Sequence, residues 1–425
     1  MYYIPKQINN NQYIIDSYYG LIYHKDKQEI AKKYKTNDIR LIRYYMRDKL
    51  VKSKSSLIDT IFIQPNGSKC LGSCVYCMNE SFENNYNALE LLAPERLATT
   101  LSYLKEHFYL SPSNINLSFT GGEPCLHPNL SILVDASLNI IPSLFSVSVT
   151  TGLFYTDIML HNLISFMKEC STKPIRTTGV SFSIDLDGSK NRYSTICKLN
   201  NDDNFRRTKE LLPDLMTIPN TSCCYNTRLN NDSNVSLLID NIHALFNINN
   251  KIVVRLSIVD GPTHFLDVEH IGLFFKELKK NFNISFTHKG AFTIEITSKE
   301  IDYKFNNLML LTLEDDIFVL HPLDQRCWTW SKFFGIGPKK YFSCYFGFYE
   351  SDNIDDCIYI SEDNPYYLVY NKLPLDCQTC EYLSFCKLCP RQRNTYPCSQ
   401  IPAMKEYMKQ VFDIMISTPE KWCIE

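Results

Sequence analysis

The sequence has no surplus of charge, no long apolar run and no secretory leader, and each absence removes a class of protein. With 44 Lys+Arg against 46 Asp+Glu in 425 residues, the formal net charge is −2. That balance excludes a wholesale binder of nucleic acid or membrane surfaces and leaves only local patches to consider. No uncharged stretch approaches the roughly 18 apolar residues of a membrane span. No charged-then-apolar segment ending in a small-residue cleavage site opens the chain, and no internal repeat or low-complexity tract is evident. The expectation is a soluble cytoplasmic protein of two or three domains, in a compartment where thiols stay reduced.

Against that background the 17 cysteines stand out. At about 4% of the chain they fall short of a disulfide scaffold. Three lie between Cys70 and Cys77 and eight between Cys327 and Cys398; the others are Cys125, Cys170, Cys197, Cys223, Cys224 and Cys423. Clustered thiols in a reducing compartment point to metal or cluster ligation.

From Leu57 onward the chain alternates strand and helix patterns. Runs rich in Val, Ile, Phe, Thr and Ser predict strands over 57–65, 115–120, 146–151, 179–185, 222–229 and 252–259. Helix-period stretches between and after them cover 94–108, 129–141, 157–170, 203–212, 234–246 and 266–280. Pro94 suits a first helical turn, and Asp157 and Asn234 suit N-caps. Six βα units in succession imply an α/β protein with a parallel sheet, wound open or as a partial barrel, its active edge at the C-terminal ends of the strands. After about residue 285 the pattern changes to a hairpin or short sheet over 284–305, then to a loop-rich, Cys-dense region beyond Leu320. The expected organisation is a leading segment 1–56, a core 57–285 and a C-terminal domain 286–425. In the leading segment a helix is expected over 38–51. Lys25 to Lys54 holds 11 basic and 4 acidic residues, either a solvated helix face or a docking surface for an acidic peptide.

Cys70, Cys74 and Cys77 follow the first strand with C-x3-C-x2-C spacing. A zinc site would want a fourth ligand nearby, and no His lies between residues 60 and 100. Three thiolates on one tight loop suit a cubane iron–sulfur cluster with one iron left open. Gly121-Gly122-Glu123-Pro124 ends the second strand, where two residues without Cβ let backbone and ligand approach closely. The fourth strand ends in Ser183-Ile184-Asp185-Leu186-Asp187-Gly188, with Ser183 and Asp185 on one face.

This Cys loop, with Tyr76 directly before its last Cys, and the GGEP turn at this offset resemble the signature of the radical S-adenosylmethionine (SAM) superfamily over about residues 57–285. The resemblance implies a partial (β/α)6 barrel with one 4Fe–4S cluster whose open iron is chelated by the amino and carboxylate groups of SAM. Reduction would cleave SAM and release a 5′-deoxyadenosyl radical that abstracts a substrate hydrogen. It further implies that Tyr76 contacts the adenine and that the Gly121–Pro124 turn, through Gly121, Gly122 and Glu123, meets the amino end of SAM. Ser183 and Asp185 would lie on the ribose-contacting strand, and Arg192 or Arg255 would face the carboxylate.

A second group, Cys377, Cys380, Cys386, Cys389 and Cys398, occupies 22 residues. The five residues between its two C-x2-C pairs are too few for a zinc ribbon. The run resembles the C-terminal motif of the SPASM subfamily, with one gap of two residues in place of three. Cys327 and Cys344 resemble that subfamily's leading pair. These seven ligands fall one short of two fully ligated clusters: one auxiliary 4Fe–4S cluster is open, Cys357 supplies the eighth ligand, or only one cluster forms. Auxiliary clusters either carry electrons or fix a loop-rich domain with little core.

Of the remaining thiols, Cys125 follows GGEP, and one of Cys223 and Cys224 must point into the barrel. A thiol there either packs or returns a hydrogen atom to a carbon radical. Radical SAM proteins with SPASM-like domains mostly act on peptides or proteins. The expectation is therefore an enzyme that cross-links, epimerises or forms thioethers in a ribosomally made peptide, reduced by a donor such as flavodoxin or ferredoxin. A sulfatase-type maturase, a small-molecule dehydrogenase and a non-catalytic iron–sulfur or zinc scaffold are the alternatives.

Overall fold

The computed structural model describes residues 3–8, 11–16, 19–35, 58–72, 74, 77, 90–107, 110, 115–152, 156–189, 192–194, 198–258, 268–286, 293–300, 308–312, 317–320, 333–342, 350–358, 380, 402–417 and 422–424. They form two compact units, one of residues 54–255 and 328–360, the other of 1–53, 256–327 and 361–425.

The first unit is a βα array. Its strands are β1 (Thr60–Ile63), β2 (Ile115–Phe119), β3 (Leu144–Thr151), β4 (Thr177–Ser183) and β5 (Thr221–Leu229), and β6 (Val253–Ile258) carries the chain across to the second unit. The sheet order runs β1 to β6 in sequence, with Phe333–Ile336 outside β1. From Phe333–Ile336 through β5 every pairing is parallel. Sequential order without a reversal differs from a doubly wound sheet, which changes direction at a switch point. Parallel pairing also brings every strand's C-terminal end, and so the Cys loop and the GGEP turn, to one edge.

The crossovers are helices α1 (Pro94–His107), α2 (Ser131–Ile140), α3 (Asp157–Ser171), α4 (Asn201–Thr217) and α5 (Val235–Ile248). Pro94 opens α1, where its missing N–H costs nothing. Asn234 caps α5, accepting from Leu237 N at 3.0 Å. Thr156, not Asp157, is the N-cap of α3, so Asp157 sits in the first turn, where its charge favours the helix dipole. The helix expected over 203–212 ends just before Pro213 in the sequence pattern. The observed helix runs through that proline, and it begins earlier, with a capping box between Asn200 and Asp203. One face of the strands is closed by these helices: Phe119 meets Phe166 of α3 edge-on at 5.7 Å between centroids. Arg96 of α1 donates to the carbonyls of Gly337 and Lys339 and covers the Tyr341 ring, fixing the outer strand pair.

In the second unit Asn283–Phe286 and Thr293–Thr297 form an antiparallel hairpin. A separate six-stranded sheet combines Tyr3–Ile8, Asn11–Asp16, Leu21–His24, Ile317–Leu320, Leu308–Thr312 and Trp422–Ile424. Helix α6 (Val268–Asn281) packs on α7 (Pro402–Ser417) through Phe275 and Tyr407. The helix expected over 38–51 lies outside the described residues. Among the described residues no helix is long and apolar enough to cross a membrane.

Candidate active site

The strands alternate with period two, and the two faces differ in chemistry. One face carries Ile61, Leu117, Phe119, Val147, Val149, Val180, Phe182 and Tyr225, all buried under the helices. On the other, the register sets Asn116 beside Ser146, Ser118 beside Ser148, Thr150 beside Ser181, Cys224 beside Ser181 and Asn226 beside Ser183. Ser148 donates to Ser118 at 3.2 Å, and Asn226 donates from Nδ2 to Ser181 at 2.7 Å. A closed βα barrel fills its interior with bulky branched side chains. Here the corresponding face is mostly small, hydroxylated and half-buried, with Phe62 and Arg228 as larger exceptions.

Above this face the loop after β1 and the turn after β2 are tied together along their backbones. Thr120 N donates to Ile63 O at 2.9 Å, Gly122 N to Gly67 O at 3.3 Å and Glu123 N to Lys69 O at 2.7 Å. Asn66 Nδ2 closes the set on the Glu123 carbonyl at 2.6 Å. Gly121 makes this approach possible. Its φ is +105°, and an added Cβ would lie 2.8 Å from Gln64 Cγ and 2.9 Å from the Gly67 carbonyl oxygen.

Cys70, Cys74 and Cys77 hang from this tied segment, half-buried. Gly72 N donates to the Cys70 sulfur at 3.2 Å, and Cys77 N donates to Cys74 O at 2.9 Å. Burial pushes the Cys70 thiol up to about 12, with Glu123 and the other two thiols adding to the rise. Cys74 is pushed to about 11 by burial, with Arg192 pulling it back. The three sulfurs therefore lie within each other's field. Among the described residues no three His, Cys, Asp or Glu side chains are gathered as ligands of a single metal ion. A cubane asks for something different, since each of three irons takes one thiolate and the cysteines stand wider apart than around one ion. Soft thiolates with cations close by fit that group.

Glu123 is buried, and the chain's own donors hold its carboxylate. Thr151 Oγ1 donates at 2.9 Å, Gly152 N at 3.0 Å and Cys125 N at 3.2 Å. The Glu123 side chain thus braces the end of β3. Burial raises the carboxyl from 4.5 to about 7, with the hydrogen bonds opposing. Between those values the folded chain binds a proton that the unfolded chain releases, so this contribution is greatest below about 4.5 and is lost as pH rises through about 7. The expected result is that Glu123→Gln gains roughly 2–3 kcal/mol relative to wild type between about pH 5 and pH 8. Urea unfolding at the two pH values measures it, and a pH-independent difference contradicts the shift.

At the end of β4, Asp185 is buried and ion-paired with Arg192 Nε at 3.1 Å. Asp187 is buried too, accepting from Ser233 Oγ and from Ser189 N; burial and the Asp185 charge push its carboxyl up to about 6. Ser183 lies half-buried on the polar face, and Arg255 lies within β6. Cys224 shares the polar face, its thiol 3.8 Å from Asn226 Oδ1. Cys223 falls on the helix-side face beside Val180, and Cys125 is enclosed in the short turn Pro124–Leu126, its carbonyl accepting from Asn162 of α3. Cys357 is buried, donates to the Tyr341 carbonyl at 3.3 Å and is raised to about 12 by burial, as a packed thiol is. Of the seven cysteines matched to the SPASM-like motif and its leading pair, only Cys380 is among the described residues. Cys327, Cys344, Cys377, Cys386, Cys389 and Cys398 lie outside them, as does Tyr76. Arg228, which carries no motif, is set beside Asp185 by the register of β5 on β4, its backbone N–H donating to Asp185 Oδ1 at 3.2 Å.

Fold and edge together describe a mixed α/β protein with a large parallel-rich sheet, a radical SAM-like fold. A solved structure of a histidine-tagged protein, described as "anSMEcpe with bound AdoMet", shares that fold, with a TM-score of 0.56 and 16% identity over 84% of this chain and 94% of its own. No protein-family model matches the sequence, and a search of curated proteins finds no match.

Proposed function

We propose that this chain is a radical SAM enzyme that modifies a peptide or protein. The observation that carries the reading is the pairing of the C-x3-C-x2-C loop with the GGEP turn over a polar, half-buried strand face. The similar fold of a structure that holds AdoMet supports it. Bound to Cys70, Cys74 and Cys77, a 4Fe–4S cluster would supply the electron that cleaves SAM to methionine and a 5′-deoxyadenosyl radical. The chain itself binds, orients and excludes water: Gly121 and Gly122 present backbone to the amino end of SAM, and the polar face of a partial (β/α)6 barrel receives the substrate. Peptide modification is favoured by the SPASM-like cysteines from Cys327 to Cys398, as holders of one or two auxiliary clusters, and by the basic stretch Lys25–Lys54. Flavodoxin or ferredoxin is the class of reductant.

Anaerobic reconstitution followed by reduction with SAM tests the reading. The expected result is 5′-deoxyadenosine and methionine in equal amounts; a fully loaded chain that forms neither overturns it. Replacing Cys377 and Cys380 together by Ala is expected to lower the iron content and stop substrate modification while SAM cleavage continues. Equal loss of both activities would instead assign these cysteines to holding the fold.

A further inference from the structure

We propose that the row Ser118, Ser148, Gly179 and Ser222, across the middle of the polar strand face, is the floor of the substrate site. It selects a peptide residue with a small, uncharged, hydrogen-bonding side chain. The inference rests on the radical SAM reading and names the chemistry of its substrate.

The row follows from register. Ser118 of β2 pairs with Ser148 of β3, Ser148 with Gly179 of β4, and Gly179 with Ser222 of β5. Phe62 of β1 stands beside Ser118 at one end, and Ser222 is exposed at the other. The next row toward the active edge holds Thr150, Ser181 and Cys224, and the row away from it holds Asn116, Ser146 and Thr177.

Three properties of this face narrow what it can hold. It has little bulk, and the β4 position in the row has no side chain at all. A Cβ added at Gly179 would lie 3.2 Å from Ser222 Oγ and 3.3 Å from Ser148 Cβ, so the position opens on the same side as both hydroxyls. The face is also uncharged: across these three rows β2 to β5 present no Asp, Glu, Lys, Arg or His. A carboxylate, phosphate or ammonium placed there meets no counter-ion on those strands and loses hydration. Finally, its hydroxyls have capacity to spare. Ser118 accepts from Ser148, and Ser181 accepts from Asn226, yet among the described residues neither hydroxyl donates onward and Thr150 Oγ1 makes no hydrogen bond. An apolar occupant would leave these groups covered and unpaired. A side-chain amide or hydroxyl pairs with them and brings no charge. A residue within a peptide meets the same condition, whereas a free amino acid carries an ammonium and a carboxylate on one carbon.

The test is equilibrium dialysis of three capped peptides against the reconstituted, SAM-loaded enzyme. The probes are acetylated, amidated Gly-Asn-Gly, Gly-Asp-Gly and Gly-Leu-Gly, whose central side chains are close in shape but differ in charge and hydrogen bonding. The Asn peptide is expected to bind roughly 10-fold more tightly than either of the others. Gly179→Val, which fills the middle of the row, is expected to abolish that preference. Ser148→Ala, which adds no bulk, is expected to reduce it about 3- to 10-fold. Only preparations with wild-type iron content and a cooperative unfolding transition are compared, so Ser148→Ala decides where Gly179→Val does not fold. Equal binding of the three peptides by wild type, or no binding of any, overturns the proposal. A preference that survives in Ser148→Ala overturns it too and assigns the row to packing within the chain. An enzyme that shows the preference but forms no 5′-deoxyadenosine upholds the row and overturns the reading beneath it.

Discussion

Replacing any one of Cys70, Cys74 and Cys77 with Ala is expected to reduce 5′-deoxyadenosine formation to the background of a chain without iron. The loss should exceed about 100-fold, because changes to groups merely bonded to a metal ligand already cost about 10- to 100-fold. Three residues are expected to fail equally because each would hold its own iron, so no neighbour can substitute. The surroundings reinforce this. Cys74 and Cys77 share one tight turn through a 2.9 Å backbone hydrogen bond, and Cys70 is held by Gly72 N. None can move to cover for another without breaking the segment tied to the GGEP turn. Iron content, the visible absorbance of the reconstituted protein and product assay measure the outcome together. Cys170→Ala is the control, since that thiol is buried near the end of α3 and belongs to neither cysteine cluster. Equal failure of the control, or full SAM cleavage by any of the three variants, would remove the assigned ligands.

Much of the first unit was legible because local signals and tertiary structure agree there. SVSVTT and INLSFT alternate apolar and polar residues, and each alternation is a strand with one face under helices. The Cys loop and GGEP turn were legible as motifs, since each is confined to a few residues. What was not legible depends on partners far apart in sequence. Glu123 reads as a ligand-facing residue of its motif, yet its carboxylate is held by Thr151, 28 residues away. Cys223 and Cys224 are equivalent in sequence, and only the pairing with Val180 and Ser181 separates their faces. Arg228 carries no motif at all. Its place comes from β5 pairing in parallel with β4, which sets its backbone on Asp185, 43 residues earlier. The helix expected over 203–212 runs on through Pro213, because a helix already secured by its cap and its buried face absorbs one lost hydrogen bond.

Gly121→Val is expected to cost about 4–5 kcal/mol and to prevent stable cluster loading. Two terms contribute. A φ of +105° is strained for any residue with a Cβ and worst for a β-branched one, costing about 1–3 kcal/mol. The second term is steric. The Gly67 oxygen that a Cβ would meet at 2.9 Å is a backbone atom, already accepting from Gly122 N, and Gln64 is held by Ile336 through its own N–H at 2.9 Å. Relief therefore requires parting the loop after β1 from the turn after β2, which would undo the contacts from which the cysteine loop hangs. Overpacking of a closed site adds about 1–3 kcal/mol, more where the obstructing atoms are backbone. Gly67→Ala separates the two terms. Gly67 has φ +64° but nothing within 4 Å of an added Cβ, so only the left-handed strain applies, about 1–2 kcal/mol, and the cluster should still load. Urea unfolding gives the energies and iron content gives the loading. Equal losses in the two variants would mean that crowding at Gly121 contributes nothing and that the contact between loop and turn does not support the cluster site.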